Sequence, residues 1–181
     1  MIARRIQEEL FAQLAEFPVV TALGPRQAGK TTLVRGVLPE YAYVSLEDPE
    51  NRAIAEEDPR AFLKRFSGKT ILDEIQRVPH LLSYIQGIVH EENEVGRFVL
   101  TASHQLELRE AVGQSLAGRT GILHFLPFSI GELEAAGIRF DSFEAYLLQG
   151  FCRVSMIRIN ARALRMRVTI RPMSRGTLGS W

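Results

Sequence analysis

The stretch Thr21-Ala-Leu-Gly-Pro-Arg-Gln-Ala-Gly-Lys-Thr-Thr32 constrains this chain more than any other. It holds Gly24-x-x-x-x-Gly29-Lys30-Thr31, a complete phosphate-binding loop pattern. Glycines at 24 and 29 let the backbone curl through conformations that cost a Cβ-bearing residue energy. The curl turns successive N–H groups inward as an anion-binding nest. Lys30 can place a point charge on the β- and γ-phosphates. The Thr31 hydroxyl can ligate Mg²⁺. The flanks fit as well. Pro18–Leu23 reads as a short buried strand, and Thr31–Arg35 opens a helix ending near Gly36 and Pro39. The following helix aims its N-terminal N–H groups at the same phosphates.

Composition narrows the class. The chain has 181 residues, 46% hydrophobic and 24% charged, enough for one core with a small appendage. No apolar run approaches the length of a membrane span. Residues 1–9 are amphipathic and acidic, unlike a signal peptide, so a cytoplasmic location with no membrane partner is expected. The lone Cys152 leaves no internal disulfide and no cysteine metal cluster. His80, His90, His104 and His124 are scattered without metal-ligand spacing.

Charge is lopsided. Net charge is +1, but residues 152–181 hold seven arginines, no lysine and no acid. That stretch carries +7 and the preceding residues −6.

Along the chain, Ile2, Ile6, Leu10 and Leu14 fall four apart, one helical stripe over residues 2–16 that packs on the nucleotide domain. Tyr41–Leu46 reads as a second strand, broken by Glu47-Asp-Pro-Glu-Asn51. Asp58-Pro59 starts a short helix to about Phe66, with Pro at its first position. Lys69–Ile75 is a short apolar strand that delivers Asp73 and Glu74 at its C-terminal end, where ligands of open parallel sheets bind. Asp73 fits a magnesium-associated carboxylate, and Glu74 a base that polarises water for attack on the γ-phosphate. Adjacent acids at a strand end can equally be solvated side chains; their position about 40 residues past a phosphate loop gives them weight.

Pro79 opens a helix to about Glu92. Arg97–Ser103 is another buried strand, bringing Thr101 and Ser103 to the ligand edge. A polar side chain there could hold the attacking water, or simply make strand-end hydrogen bonds. Gln105–Gln114 reads as a helix closed by Ser115–Arg119, with Gly118 as its cap. Ile122–Leu126 is one more strand. Ser129-Ile-Gly-Glu132 and Asp141-Ser-Phe-Glu144 are helix-start patterns, with helices to about Ala136 and Leu148. A leading helix followed by repeated strand–helix units predicts an α/β fold, a parallel sheet covered on both faces.

The wording of these motifs is more specific than their spacing. Gly-Pro-Arg-Gln-Ala-Gly-Lys-Thr-Thr, Leu-Asp-Glu-Ile-Gln-Arg-Val-Pro, Leu-Thr-Ala-Ser, and Ser-Leu-Ala-Gly-Arg followed by Leu-Pro-Phe-Ser-Ile-Gly-Glu-Leu resemble a group of prokaryotic AAA-family P-loop ATP-binding proteins with a C-terminal domain of unknown function. The resemblance covers residues 1–150. It implies a three-layer P-loop NTPase fold, with ATP and Mg²⁺ as ligands. Gly24, Pro25, Arg26, Gln27, Ala28, Gly29, Lys30, Thr31 and Thr32 would form the Walker A loop. Asp73 and Glu74 would be the Walker B magnesium and catalytic acids, Thr31 sharing the metal. Ser103 would stand at the sensor-1 position. Arg119 would reach a neighbouring subunit's γ-phosphate in a homo-oligomer, or be a plain helix-end arginine. Ala102 stands where the family usually has glycine, and His104 where a small polar residue is common.

The family continues past Leu147-Leu-Gln-Gly150 with a Pro-containing segment and a long helical domain. Here the text changes at Phe151. We expect a truncated member whose residues 152–181 are a frameshifted end; the competing reading is a basic arm for nucleic acid, lacking interleaved aromatics for base stacking. Slow ATP hydrolysis is the leading function. A small-molecule kinase, a nucleotide-dependent interaction module with an unidentified protein or nucleic-acid partner, and an inert fragment are the rivals.

Overall fold

Val19–Gly24, six residues all buried, makes strand β1. A run that is apolar on both sides suits a parallel sheet covered on two faces. In the computed structural model, which describes residues 2–103, 112, 115–142 and 146, β1 pairs with two neighbours. On one side lies Phe98–Ser103 and on the other Thr120–His124, both parallel to it. Ala42–Ser45 forms β2 and Thr70–Asp73 forms β3, with Phe98–Ser103 as β4 and Thr120–His124 as β5. The sheet order is β2-β3-β4-β1-β5. The α/β class expected from the strand–helix alternation is the fold observed.

Alternation along the strands sorts side chains onto two faces. Val19 and Leu23 of β1, Leu72 of β3, and Phe98, Leu100 and Ala102 of β4 point to one core. Helices α3 (Pro49–Glu57), α4 (Pro59–Lys64) and α5 (Leu81–Glu92) cover it with Ala55, Phe62, Leu63, Leu81, Leu82, Ile85 and Val89. Val20 and Ala22 of β1, Ile71, Val99 and Leu123 point the other way. There α1 (Ile6–Glu16) supplies Leu10 and Leu14, and α2 (Lys30–Val37) supplies Leu33 and Val34. The result is three layers. A last helix, α6 (Ile130–Ala135), starts with the expected capping box: Ser129 Oγ accepts the Glu132 N–H at 3.2 Å, and the Glu132 carboxylate accepts the Ser129 N–H at 2.8 Å.

Several local expectations differ from the structure, among them the strand expected over 122–126, which runs Thr120–His124, and the strand expected over 69–75, which stops at Asp73. Glu47–Asn51 does not simply break a strand; it starts α3. Asp48 caps that helix by accepting the Glu50 N–H at 2.9 Å, with Pro49 at the first helical position. The same device starts α4, where Asp58 accepts the Ala61 N–H at 2.9 Å ahead of Pro59. The N-terminal stripe is helical only from Ile6. Just ahead of it, Glu132 accepts from the Arg5 N–H at 3.0 Å and from Arg4 Nε at 3.2 Å. Ile2 packs instead on Phe128, Leu133 and Tyr146. A further difference is at Pro79: α5 itself begins at Leu81, after a turn in which the Pro79 carbonyl accepts the Leu82 N–H at 3.1 Å.

His104, the helix expected over 105–114 except Val112, most of the helix expected from Asp141 to Leu148, and residues 152–181 lie outside the described residues. Gly118 does take the left-handed conformation, at φ 69°. No helix among the described residues is long and apolar enough to cross a membrane.

Candidate functional site

All strands run parallel, so the C-terminal ends of β1, β3 and β4 meet at one edge. The register puts Gly24 directly beside Ser103, and Ser45 beside Asp73. The phosphate loop therefore rises next to the ends of β3 and β4.

The loop's shape comes from particular residues. Its left-handed positions are Gln27, at φ 66°, and Gly29, at φ 88°. Gly29 is the residue expected there; Gln27 is not, and the sequence offers no signal for it. Gly24 serves differently from expectation. Its φ is not in the left-handed region, but a Cβ built on it would stand 2.2 Å from the Phe125 carbonyl oxygen. A glycine is needed because the chain after β5 passes over the loop. Pro25, Arg26 and Gln27 are exposed, Ala28 is buried, and Thr32 is half-buried on the first turn of α2.

Lys30 is only 5% exposed. Its Nζ donates to the Gly24 carbonyl at 2.7 Å and the Pro25 carbonyl at 2.9 Å, so the side chain folds back into its own loop. Burial draws its pKa below the ordinary 10.5; Glu74 and Asp73 oppose that shift, and Arg26 adds to it. An ammonium held among carbonyls with two carboxylates nearby is poised to move to a polyanion.

Asp73 is buried and hydrogen-bonded on both oxygens. Oδ1 accepts the Thr31 hydroxyl at 2.8 Å and the Thr101 hydroxyl. Oδ2 accepts the Tyr43 hydroxyl at 2.9 Å. Burial, then the bond to Asp73 and its charge, push the Tyr43 hydroxyl above the ordinary 10.0, which keeps it a donor. Thr101 also accepts the Glu74 N–H at 3.2 Å, linking the two acids through one hydroxyl. Glu74 takes φ 60°, ψ 47°, a left-handed backbone that a non-glycine residue adopts at a cost of order 1–3 kcal/mol. That conformation stops β3 and turns the Glu74 carboxylate off the strand axis. One of its oxygens accepts from Gln76 Nε2, which also donates to Ser103 Oγ at 2.9 Å.

Thr31, Asp73, Glu74, Lys30 and Ser103 thus converge at one edge. Arg119 does not join them. It precedes β5, its carbonyl accepts the Val19 N–H at the opposite sheet edge, and its guanidinium lies 3.5 Å from His90 Nδ1. A carboxylate and a hydroxyl on adjacent elements suit a hard divalent cation that fills its other positions with phosphate oxygens and water. Among the described residues no group of three or more His, Cys, Asp or Glu could by itself hold a metal.

Three residues at or behind the site have no assigned role in the sequence reading. Tyr43 could have been found, because Val44 faces the α3 core and alternation then puts Tyr43 on the α2 side. Gln76 stands within the Leu-Asp-Glu-Ile-Gln-Arg-Val-Pro motif, and only the turn after Glu74 brings it to the site; for Arg4 the sequence carries no signal. Arg4 is 8% exposed and binds the back of the loop. Nη1 donates to the Ala28 carbonyl at 3.1 Å, Nη2 to the Leu126 carbonyl at 2.6 Å, and Nε to Glu132 at 3.2 Å, with the guanidinium 4.5 Å over the Phe128 ring.

Comparison with known proteins agrees with this architecture. A family model described as an AAA domain matches residues 16–134. Proteins of Mycobacterium tuberculosis and Mycobacterium bovis, both described as uncharacterized, are each 35% identical over 121 residues, 64% of this chain and 26% of theirs. The chain therefore spans about a quarter of the length of these curated relatives. Among solved structures, the Holliday junction branch migration motor RuvB of Thermotoga maritima superposes with TM-score 0.54 at 20% identity, covering 93% of this chain and 64% of that one. AMPPCP-bound DnaA from Aquifex aeolicus does so with TM-score 0.54 at 14% identity, covering 91% and 60%. At these identities the likeness is one of fold.

Proposed function

Because this chain belongs to the prokaryotic AAA family of P-loop ATPases, we propose that it binds ATP with Mg²⁺ and hydrolyses it slowly by in-line attack of water on the γ-phosphate. The observation that carries the reading is the 2.8 Å bond from the Thr31 hydroxyl to Asp73, made beside a buried Lys30 and next to Glu74. In this reading residues 1–150 are the ATPase domain and 151–181 do not extend it.

Each residue then has one task. The loop from Gly24 to Thr32 wraps the phosphates with backbone N–H groups. Lys30 leaves the Gly24 and Pro25 carbonyls for the β- and γ-phosphate oxygens. Thr31 and Asp73 would hold Mg²⁺, which would supply neutralisation of phosphate charge. Glu74 accepts the proton of the attacking water. Ser103 faces the γ-phosphate side of the loop. Arg119, remote from the loop of its own subunit, would act on a neighbour's nucleotide in a homo-oligomer. The adjacent Asp73–Glu74 pair favours water over a kinase acceptor, since a base beside the metal ligand serves a small nucleophile.

The test is Mg²⁺-dependent ATP binding and phosphate release in the chain and in Lys30→Ala and Glu74→Gln variants. Lys30→Ala is expected to lose binding. Glu74→Gln is expected to bind but release no phosphate. Binding without release in the unmodified chain would replace the ATPase with a nucleotide-dependent interaction module. No binding by a chain with a cooperative melt would end the proposal.

A further inference from the structure

Gln76 lies two residues past Glu74, in the 3₁₀ turn Ile75–Arg77, and its amide nitrogen sits between Glu74 and Ser103. The chemistry of these neighbours fixes which atom faces them. A carboxylate oxygen only accepts, so the amide group beside Glu74 must be the NH₂ and not the carbonyl. The Gln76 carbonyl oxygen points the other way, buried and without a partner among the described residues. Both amide protons are therefore used, one on each residue.

The direction of those two bonds sorts the rest. Ser103 Oγ accepts, so its own hydroxyl proton stays available to donate. Glu74 accepts on one oxygen, so its second oxygen stays available to take a proton. Ser103 is in register with Gly24 at the mouth of the phosphate loop. Glu74 is held by the Thr101 hydroxyl through its N–H and by Gln76 through its side chain. Without the amide, a carboxylate on a left-handed residue would be free to rotate toward solvent.

We propose that Gln76 is a positioning residue for hydrolysis, its single amide orienting the Glu74 carboxylate toward the attacking water and the Ser103 hydroxyl toward the γ-phosphate. The inference rests on the ATPase reading for its consequence but not for its geometry. Both amide protons of Gln76 are taken up by Glu74 and Ser103, so its loss is expected to alter turnover and not binding. It also makes Glu74 and Ser103 interdependent although they do not touch.

The experiment compares Gln76→Leu, Ser103→Ala, the double variant and Glu74→Gln. For Gln76→Leu we expect nucleotide Kd within about twofold of the unmodified chain, and turnover lower by roughly tenfold or more, part of the range ascribed to a well-placed general base. Ser103→Ala should cost less in the Gln76→Leu background than alone, because the pair acts as a unit. Unchanged turnover in Gln76→Leu, with Glu74→Gln inactive, overturns the proposal and leaves the ATPase intact. A Gln76→Leu defect confined to nucleotide Kd overturns it too. If even the unmodified chain releases no phosphate, the ATPase reading fails and a second measurement decides the positioning. The Gln76 side-chain amide NMR signals, identified by their loss in Gln76→Leu, should shift in both Glu74→Gln and Ser103→Ala. Signals that stay in place in either variant reject the shared amide.

Discussion

Tyr43 donates its hydroxyl to Asp73 Oδ2 at 2.9 Å, from strand β2 to strand β3. The bond fixes the plane of the one carboxylate that also accepts from Thr31. If Asp73 holds Mg²⁺ as proposed, a group that orients it is felt in metal affinity. Tyr43→Phe keeps the ring, including its contact with Arg35 at 4.2 Å, and removes only the donor. We expect the Mg²⁺ concentration needed for half-maximal nucleotide binding to rise on the order of tenfold. Titrating Mg²⁺ at fixed nucleotide measures it, and an unchanged midpoint would show that Thr31 and Thr101 suffice.

Gly24→Ala tests the loop's close approach to the chain after β5. The added Cβ would lie 2.2 Å from the Phe125 carbonyl oxygen and 2.8 Å from the Phe125 Cβ. Both neighbours are part of, or anchored to, the backbone and cannot swing away. We expect a loss of about 1–3 kcal/mol, visible as a lower Tm, together with weaker nucleotide binding. A melt like that of the unmodified chain would mean the loop can be displaced freely.

Glu132 predicts an acid-sensitive step. Burial alone would raise its pKa, but the Ser129 and Arg5 N–H groups, the Arg4 charge and the Ser129 hydroxyl outweigh burial and hold it below the ordinary 4.5. A carboxyl depressed on folding contributes stability that is present above its unfolded pKa and is lost as pH falls through the folded one. Tm should therefore drop below about pH 4.5 more steeply in the unmodified chain than in Glu132→Gln. Parallel Tm curves between pH 3 and 6 would contradict this.

Arg4→Met should be worse than Glu132→Gln at neutral pH. It leaves a carboxylate that is nearly buried and has lost its partner, whose side chain is 6% exposed against 9% for Glu132. Removing one member of a buried pair costs about 3–5 kcal/mol. Chemical denaturation at pH 7 compares the two variants directly, and an Arg4→Met loss no larger than that of Glu132→Gln would show the guanidinium to be dispensable.

Arg119→Ala should leave the nucleotide Kd unchanged, because Arg119 lies at the far edge of the sheet. If it acts across subunits, its loss removes whatever increase in specific turnover the unmodified chain shows with rising protein concentration. Equal concentration profiles in the two proteins would reduce Arg119 to a surface residue beside His90.

The parts of the site legible in the sequence are those carried by local spacing. Gly24 to Thr31 lie within one loop, Asp73 ends one strand with Glu74 directly after it, and Ser129 to Glu132 close one capping box. Helix α3 was within reach too, since Asp48-Pro49 is the same signal as Asp58-Pro59. What stayed hidden depends on contacts between distant segments. Arg4 meets Glu132 across 128 positions, and no periodicity announces that pairing. Gln76 faces Glu74 only because Glu74 adopts a left-handed backbone, which its residue type disfavours. The need for glycine at 24 arises from Phe125, a hundred residues away.

The back of the phosphate loop is held at two points, by the Arg4 guanidinium on the Ala28 carbonyl and by the Phe125 backbone against Gly24. The loop's disorder is thus removed when the chain folds, before any nucleotide arrives. Binding then meets a preformed cradle, and little conformational entropy remains to be lost at that moment. On the proposed reading, affinity in such a loop would turn on the breaking of its internal bonds, above all those of Lys30 to the Gly24 and Pro25 carbonyls, rather than on the ordering of its backbone.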